Sequence, residues 1–170
     1  MTAQQVDFIK GSSRMFVIIG DPIAQVRSPE MITWELQKRG VDAILVPMHV
    51  PQAEFDAVMP ALMQLANFHG FILTIPFKQR GMRWVDRLSL QAQMLGGLNQ
   101  MVRRSDGGWS GDILDGMGCV AAFQSRGLPI QGQRLMIMGL GGAGGAIACA
   151  MAAQRPALMR IHDVNPQRCN

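Results

Sequence analysis

A glycine-rich turn between a strand and a helix constrains the fold of this chain more than any other feature. Residues 139–144 read GLGGAG and follow the short apolar run of residues 135–138, which predicts a strand over 134–138. A helical pattern over 142–154 comes next, and residues 158–162 have the apolar character of another strand. Strand, helix and strand in this order form a βαβ unit, in which the two strands lie parallel.

The same alternation of strands and helices extends over the rest of the chain. Buried strands are predicted at residues 14–20, 43–50 and 70–75, a hairpin at 98–104 and 108–112, and helices at 28–39, 51–67, 89–95 and 115–126. Pro47 within the second strand is typical of a sheet edge, and Pro60 is expected to break the second helix. The pattern therefore predicts an α/β fold with a mainly parallel sheet flanked by helices.

Composition and charge exclude other classes of protein. Apolar residues make up 48% of the chain and charged residues 16%, which excludes an intrinsically disordered chain. The net charge is +4, but Lys and Arg are spread along the chain among the acids, so nucleic acid is not expected as a partner. The three cysteines are odd in number and widely spaced, which argues against disulfides and is typical of a reducing cytoplasm.

A membrane span, a secretion signal and a metal site are all disfavoured by the local sequence. The uncharged stretch 135–153 is long enough to cross a membrane, but its glycine cluster follows a short apolar run and favours a strand, a turn and a helix start. No membrane partner is therefore expected, and the N-terminus shows no secretion signal. The three histidines, His49, His69 and His162, are far apart in sequence, so structural roles are favoured over metal ligation and no metal is expected.

The glycine turn matches the G-x-G-x-x-G pattern of dinucleotide-binding folds. Glycines let the backbone approach a pyrophosphate closely, and the helix N-terminus offers unpaired N–H groups. Asp163 ends the next strand, about 20 residues further on, where such folds carry an acid that binds the ribose hydroxyls and repels a 2′-phosphate. The alternative is that Asp163 is only a turn residue. NAD or NADP is the predicted cofactor, with NAD favoured by Asp163, and the expected cofactor-binding residues are Gly139, Gly141, Gly142, Ala143, Gly144 and Asp163.

Polar side chains gather at the carboxyl ends of the predicted strands, where open α/β sheets bind their ligands. Ser28 follows the first strand at an expected helix N-cap, and Thr74 and Lys78 follow the third strand. Asn99 lies at the hairpin and Asp115 at a helix start. One ammonium, one carboxylate, one amide and two hydroxyls on the same rim can hold a polyhydroxylated, anionic substrate and move a proton.

Five motifs in this sequence resemble those of the shikimate dehydrogenase family and occur in the family's order. They are GDPIAQVRSP at residues 20–29 for the family's GxPIxxSxSP, TIPFK at 74–78 for its xVTxPFK, GGLN at 96–99 for its GAxNT, GDILDG at 111–116 for its GxNTDG, and GLGGA at 139–143 for its GxGGA. The segment that carries the resemblance, residues 14–163, is nearly the whole chain. The chain is therefore identified as a member of this family.

The resemblance implies a substrate domain followed by a Rossmann nucleotide-binding domain, with the active site between them. We expect a substrate-binding and catalytic domain over residues 1–126 and the first βαβ unit of the nucleotide domain over residues 127–170. Family members reduce 3-dehydroshikimate to shikimate with a nicotinamide cofactor, and some use quinate and NAD. The implied function is hydride transfer between NAD(P)(H) and a cyclic hydroxy acid.

The resemblance also implies roles for the polar residues. Lys78 corresponds to the family's general acid, which protonates the carbonyl oxygen as hydride arrives. Asp115 corresponds to the carboxylate that orients this ammonium and holds a ring hydroxyl. Asn99 and Thr74 would bind further ring hydroxyls, and Ser28 would bind the substrate carboxylate. Positioned acid–base catalysis of this kind is typically worth about 10²–10⁴-fold in rate.

Several positions depart from the family pattern. Val26 stands in place of the first carboxylate-binding Ser, Ile72 in place of the Asn before Val-Thr, Gln100 in place of a Thr, and Ile113 with Leu114 in place of the Asn-Thr before the catalytic Asp. Losing one hydrogen bond to a charged group costs roughly 1.5–3 kcal/mol. We therefore expect the same chemistry on a related but less polar cyclic hydroxy acid. Arg27 either replaces the lost carboxylate contact or is an exposed loop charge.

Chain length leaves a second hypothesis open. The family's later segments, including a substrate-contacting Gln and the nicotinamide-side loop, have no counterpart in these 170 residues, so we expect a C-terminally truncated member. The edge of residues 158–162 would then be exposed and would favour association, so a homodimer is left open. The alternative function is that of a non-catalytic small-ligand-binding fragment, which keeps the pocket without a complete nucleotide domain.

Overall fold

Two β-sheets organise residues 9–169, the part of the chain that the computed structural model describes. The elements in chain order are β1 (Arg14–Gly20), α1 (Ser28–Lys38), β2 (Ala43–His49), α2 (Phe55–Met63), β3 (Phe68–Leu73), β4 (Arg87–Leu88), α3 (Leu90–Leu95), β5 (Gln100–Arg103), β6 (Trp109–Asp112), α4 (Asp115–Ser125), β7 (Arg134–Met138), α5 (Gly144–Ala153) and β8 (Leu158–His162). Short 3₁₀ turns cover Arg80–Trp84 and Pro166–Cys169. Among these described residues, no helix is both long enough and apolar enough to cross a membrane.

The larger sheet has six strands in the order β2-β1-β3-β5-β6-β4. β1 pairs in parallel with β2 and β3, β4 pairs in parallel with β6, and β5 runs antiparallel to β3 and β6. The prediction of an α/β fold with a mainly parallel sheet flanked by helices is confirmed. Pro47 lies in β2, which is an edge strand of this sheet. A proline, which has no N–H, is tolerated in an edge strand because such a strand has a neighbour on one side only.

An aromatic and aliphatic core lies on one face of the larger sheet. Val17 and Ile19 of β1 point to the same face, because alternate residues of a strand do so, and both are fully buried. Phe55 of α2 stacks on Phe77, with their ring centroids 4.2 Å apart. This packing holds the segment that follows β3, which contains Phe77 and Lys78, against α2.

The smaller sheet is the predicted βαβ unit, in which β7 and β8 pair in parallel and α5 connects them. α4 packs across α5 at Gly116, where a Cβ atom would overlap the carbonyl oxygen of Ala146. Val120 of α4 belongs to a second core with residues of α5 and β7. This contact joins the two sheets through the helix that begins at Asp115, and a domain boundary at residue 126 stays a prediction.

One local prediction is wrong, since Pro60 lies inside a single continuous helix, α2. A proline removes only its own N–H bond to the residue four positions earlier. Phe55 and Met59 are both fully buried and anchor α2 on the sheet, so tertiary packing offsets that loss. The sequence does not predict the strand β4, because two residues carry no periodic pattern.

Candidate active site

A cavity of about 440 Å³ opens at the carboxyl ends of β1 and β3, beside the first turns of α1 and α4. All five predicted substrate-contacting residues line it, namely Ser28, Thr74, Lys78, Asn99 and Asp115. Its volume is in the range of small-molecule sites. The fold thus brings together side chains that lie far apart in the sequence.

Lys78 and Asp115 form an ion pair inside this cavity. Lys78 Nζ lies 2.6 Å from Asp115 Oδ2, and their side chains are 13% and 23% exposed. Asp115 is the first residue of α4, where the positive end of the helix dipole favours a carboxylate. The carbonyl of Lys78 accepts a hydrogen bond from the N–H of Leu98 at 2.9 Å, which ties the segment after β3 to the approach to β5. The pair therefore holds an ammonium at a fixed place with little water around it.

Asn99 and Thr74 are held by the backbone beside this pair. Asn99 Oδ1 accepts a hydrogen bond from the N–H of Leu114 at 2.9 Å, so its NH₂ group is left to donate to a ligand. The N–H of Thr74 donates to the carbonyl of Ile19 at 3.0 Å. A Cβ at position 20 would lie 2.5 Å from the methyl group of Thr74. Any residue other than Gly20 would therefore clash with Thr74 where it now lies.

Ser28 lines the cavity, but it does not cap α1 as predicted. The helix begins at Ser28, with Arg27 in the cap position and no side-chain capping bond. The backbone turns one residue earlier than expected, which leaves the Ser28 hydroxyl in the first turn of the helix. Arg27 is 77% exposed and pairs with Glu30 at 2.7 Å. Arg27 is absent from the cavity lining, so the structure favours the exposed loop charge over a carboxylate contact.

The glycine turn adopts a backbone that requires glycine. Gly139 has a positive φ of 97°, a conformation that L side chains rarely adopt, and a Cβ on Gly144 would overlap the carbonyl oxygen of Gly139. A Cβ on Gly141 would meet no atom within 4 Å, so the turn is open to a ligand there. α5 begins at Gly144, and the first N–H groups of a helix have no partner within it. Open access to unpaired N–H groups fits the pyrophosphate of a dinucleotide.

Asp163 holds this turn together from inside. Its carboxylate accepts hydrogen bonds from the N–H groups of Leu140 at 2.6 Å and Asn165 at 2.8 Å, and its side chain is 4% exposed. These backbone hydrogen bonds, with Arg168 3.7 Å away, hold the pKa of Asp163 below its usual value. Asp163 therefore has the turn role that the sequence left open, and its contact with the ribose hydroxyls stays a prediction.

The glycine turn and the ion pair adjoin each other. A Cβ on Gly142 would lie only 3.1 Å from Cδ of Lys78. A dinucleotide held by the turn would thus lie beside the ammonium of Lys78. Within residues 9–169, no group of three or more His, Cys, Asp or Glu side chains is placed to hold a metal ion.

Sequence motifs do not indicate three of the lining residues, Ile18, Ile32 and Leu73. Ile18 lies directly opposite Ile72 in the register of β1 and β3, and Ile32 lies one helical turn after Ser28. Both relationships follow from strand and helix periodicity, but only after the strands have been paired. These residues can therefore be identified only from the register of the paired strands, which sequence motifs do not contain.

Fold and cavity define an α/β protein in which a ligand cavity adjoins a glycine turn of the dinucleotide-binding type. A family model described as the shikimate dehydrogenase substrate binding domain matches residues 18–101. The chain belongs to the shikimate dehydrogenase family.

Individual relatives agree with this family assignment. The shikimate dehydrogenase (NADP(+)) of Rubrobacter xylanophilus is 32% identical over 160 residues, which are 94% of this chain and 56% of the relative. The structure of shikimate 5-dehydrogenase from Listeria monocytogenes, in complex with shikimate and NAD, matches with a TM-score of 0.82 and 28% identity over 94% of this chain and 54% of that one. The 5-ketofructose reductase of Gluconobacter sp. strain CHM43 matches with a TM-score of 0.77 and 25% identity over 92% of this chain and 55% of that one. The chain thus spans about half the length of these relatives.

Proposed function

We propose that this chain supplies the substrate site and the proton donor of a nicotinamide-dependent dehydrogenase. The reaction is hydride transfer between NAD(P)(H) and a cyclic hydroxy acid of the shikimate or quinate type, which interconverts a ring ketone and a ring hydroxyl. One observation carries the proposal: the 2.6 Å ion pair of Lys78 and Asp115 lies inside a ligand-sized cavity that the glycine turn adjoins. The Listeria relative, which was solved with shikimate and NAD, supports it.

Lys78 moves the proton, and Asp115 positions the Lys78 ammonium. A bound nicotinamide dinucleotide supplies the hydride that the carbonyl carbon receives. The Lys78 ammonium donates a proton to the carbonyl oxygen, which becomes the hydroxyl, and the neutral amine removes that proton in the reverse direction. Asp115 keeps the nitrogen directed into the cavity through Oδ2, while Oδ1 is free to accept a hydrogen bond from a neighbouring ring hydroxyl. Low exposure of the pair keeps water away from this proton transfer.

Asn99, Thr74 and Ser28 orient the ring against this pair. The NH₂ group of Asn99 donates to a ring oxygen, since its Oδ1 is already used by the N–H of Leu114. The hydroxyl groups of Thr74 and Ser28 face the same cavity and can donate or accept. Several such contacts fix which ring carbon lies beside Lys78, and orientation of this kind contributes strongly to rate.

The cofactor site that we propose is the glycine turn, with NAD preferred over NADP. The residues that would hold the pyrophosphate are Gly139, Gly141, Gly142, Ala143 and Gly144. Asp163 is ionised beneath the turn, and its negative charge repels a 2′-phosphate. Arg168 offsets that charge only in part, because its guanidinium lies 3.7 Å away on a side chain that is 54% exposed. This preference would distinguish the chain from its Rubrobacter relative, whose name includes NADP(+).

A cytoplasmic location and a small-molecule partner complete the proposal. Cys119 and Cys149 are free thiols, as expected for a reducing compartment. The partner is the cyclic hydroxy acid, and neither nucleic acid nor a membrane is proposed. A homodimer stays a prediction, with the exposed edge of β8 as its candidate surface.

Oxidation of NADH and NADPH with 3-dehydroshikimate and 3-dehydroquinate, followed by absorbance, tests the proposed reaction. We expect turnover by the unaltered chain and about 10²-fold less in Asp115→Asn, which keeps the shape of the side chain but removes the charge that positions Lys78. The matched control is Glu54→Gln, an exposed acid outside the cavity, which should leave turnover unchanged. Equal rates for Asp115→Asn and the unaltered chain would exclude this role for Asp115.

A second candidate function is non-catalytic binding of the same ligands. The observation that supports it is the ligand-sized cavity itself, whose lining offers hydrogen-bonding groups whether or not a reaction follows. It predicts heat of binding in a calorimetric titration with shikimate or quinate, but no oxidation of either reduced nucleotide. Turnover with any of the four combinations of nucleotide and substrate would exclude it.

A further inference from the structure

One side of the cavity is apolar. Ile18, Val26, Ile32 and Ile72 line it, and we call these four residues the apolar wall. Ile18 and Ile72 are neighbours because they pair in the register of β1 and β3, and neighbouring residues of paired strands point to the same face. Val26 and Ile32 flank the Ser28 position at the start of α1. Gln100 of β5 also lines the cavity and lies opposite Ile72 in the register of β3 and β5, so its uncharged amide is the polar group beside this wall.

No cation serves this side of the cavity. Among the described residues that line it, Lys78 is the one cation, and its ammonium is paired with Asp115. Arg27 is 77% exposed and pairs with Glu30 outside the cavity. An anion placed against the apolar wall would therefore lose water without gaining a partner of opposite charge.

The start of α1 does not replace the missing cation. Its first turn contains Pro29, which has no N–H to offer, and Glu30, whose carboxylate already occupies the positive end of the helix. The N–H of Val26 is also used, since it donates to the carbonyl of Ile23 at 3.1 Å. The backbone N–H groups and the helix dipole at the start of α1 therefore do not favour binding of a carboxylate.

We propose that the apolar wall receives an uncharged, apolar substituent of the substrate, in the place where a hydroxy acid would put its carboxylate. The substrate class is then a ring hydroxyketone, with its alcohol product, that carries hydroxyl groups on one side and a hydrocarbon or ester group on the other. This inference rests on the proposed hydride and proton transfer, because Lys78, Asp115 and Asn99 receive the oxygen-bearing side of the ring. It replaces the hydroxy acid of the proposed function by an uncharged ring compound. The Gluconobacter relative is named as a reductase of 5-ketofructose, so the fold accepts substrates other than shikimate.

Shikimate and its methyl ester form the matched pair of ligands for the test. They differ only in the charged group, and both keep the ring hydroxyls. We expect calorimetric titration of the full chain to show the ester binding at least about tenfold more tightly, the factor that corresponds to loss of one hydrogen bond to a charged group. Tighter or equal binding of shikimate would overturn the inference, as would failure of both ligands to bind.

A double variant reverses the chemistry of the apolar wall. Val26→Ser together with Ile72→Asn introduces two hydrogen-bonding groups beside Ser28, so the preference for the ester should fall by about tenfold or more. Val164→Ser is the matched control, since Val164 is 94% exposed and lies outside the cavity. Its ester preference should equal that of the unaltered chain. If the double variant unfolds, the comparison of the two ligands on the unaltered chain decides alone.

This test separates the inference from the proposed function. Preferential binding of the ester without oxidation of NADH or NADPH by any ring ketone would retain the apolar subsite and overturn the dehydrogenase. Turnover of 3-dehydroshikimate together with tighter binding of shikimate would retain the dehydrogenase and overturn the subsite.

Discussion

Asp163 is, at the scale of one residue, a strand-end acid that holds the glycine turn, and its effect on a cofactor stays a proposal. Its two oxygens accept the N–H groups of Leu140 and Asn165, so the carboxylate fixes the entry to the glycine turn. The same negative charge lies under the surface that a dinucleotide would approach. The proposed preference for NAD would thus come from the same side chain that fixes the turn.

The hydrogen bonds of Asp163 predict a pH-dependent stability. The pKa of Asp163 in the folded state lies below the ordinary value of 3.8. Its ionised carboxylate therefore contributes fully to the free energy of unfolding above pH 3.8, and this contribution is lost as the pH falls through the folded-state pKa. Asp163→Asn should lower the melting temperature at pH 7, and the difference from the unaltered chain should narrow in acid below 3.8. Thermal unfolding at a series of pH values measures this.

Glu54→Gln serves as the control for that series, because the Glu54 side chain is exposed. Its melting temperature should follow that of the unaltered chain throughout. A difference in melting temperature between Asp163→Asn and the unaltered chain that is the same at every pH would contradict a lowered pKa for Asp163.

The crossing of α4 and α5 is the contact between elements on which the site depends most. Gly116 permits it, and the preceding residue is Asp115, whose carboxylate must reach Lys78. A side chain at position 116 would push the two helices apart and displace that carboxylate. The geometry of the ion pair is therefore set by helix packing as well as by its own hydrogen bond.

Two glycines of α4 provide a matched test of this packing. Gly116→Ala should destabilise the fold by roughly 1–3 kcal/mol, because its methyl overlaps the backbone of α5. Gly118→Ala lies on the same helix with no atom within 4 Å, so it should stabilise the helix by up to about 1 kcal/mol. Melting temperatures of the two variants measure the difference. Equal destabilisation by both would show that the crossing is not tight.

The elements differ in how well their sequence specifies them. β1, β7 and β8 have the bounds that their apolar runs predict, because each run is short, β-rich and closed by glycine, proline or a polar residue. Helix ends were less predictable, as the start of α1 shows, since neighbouring residues compete for the cap. Pro60 was misjudged because tertiary packing overrides a local preference for helix breaking.

At the scale of the whole molecule, motifs predict the polar side of the cavity and two residues of the apolar wall, Val26 and Ile72. They do not predict the other two, Ile18 and Ile32. Lys78, Asp115 and Asn99 could be identified because they occur together at the predicted rim of the sheet and within motifs that resemble those of the family. Ile18 and Ile32 resemble ordinary core residues until pairing of β1 with β3 and packing of α1 place them in the cavity. The substrate choice that we propose thus depends in part on residues that sequence motifs do not identify.

Turnover by Lys78→Met is the most direct test of Lys78 as the proton donor, since this change keeps an unbranched side chain one atom shorter and removes the exchangeable proton. We expect at least about 10²-fold lower kcat with a nicotinamide cofactor and ring ketone, measured under conditions in which the variant is folded. Lys10→Met, which alters an exposed lysine away from the cavity, should retain full kcat. Undiminished kcat in Lys78→Met would contradict the assignment of Lys78 as the proton donor.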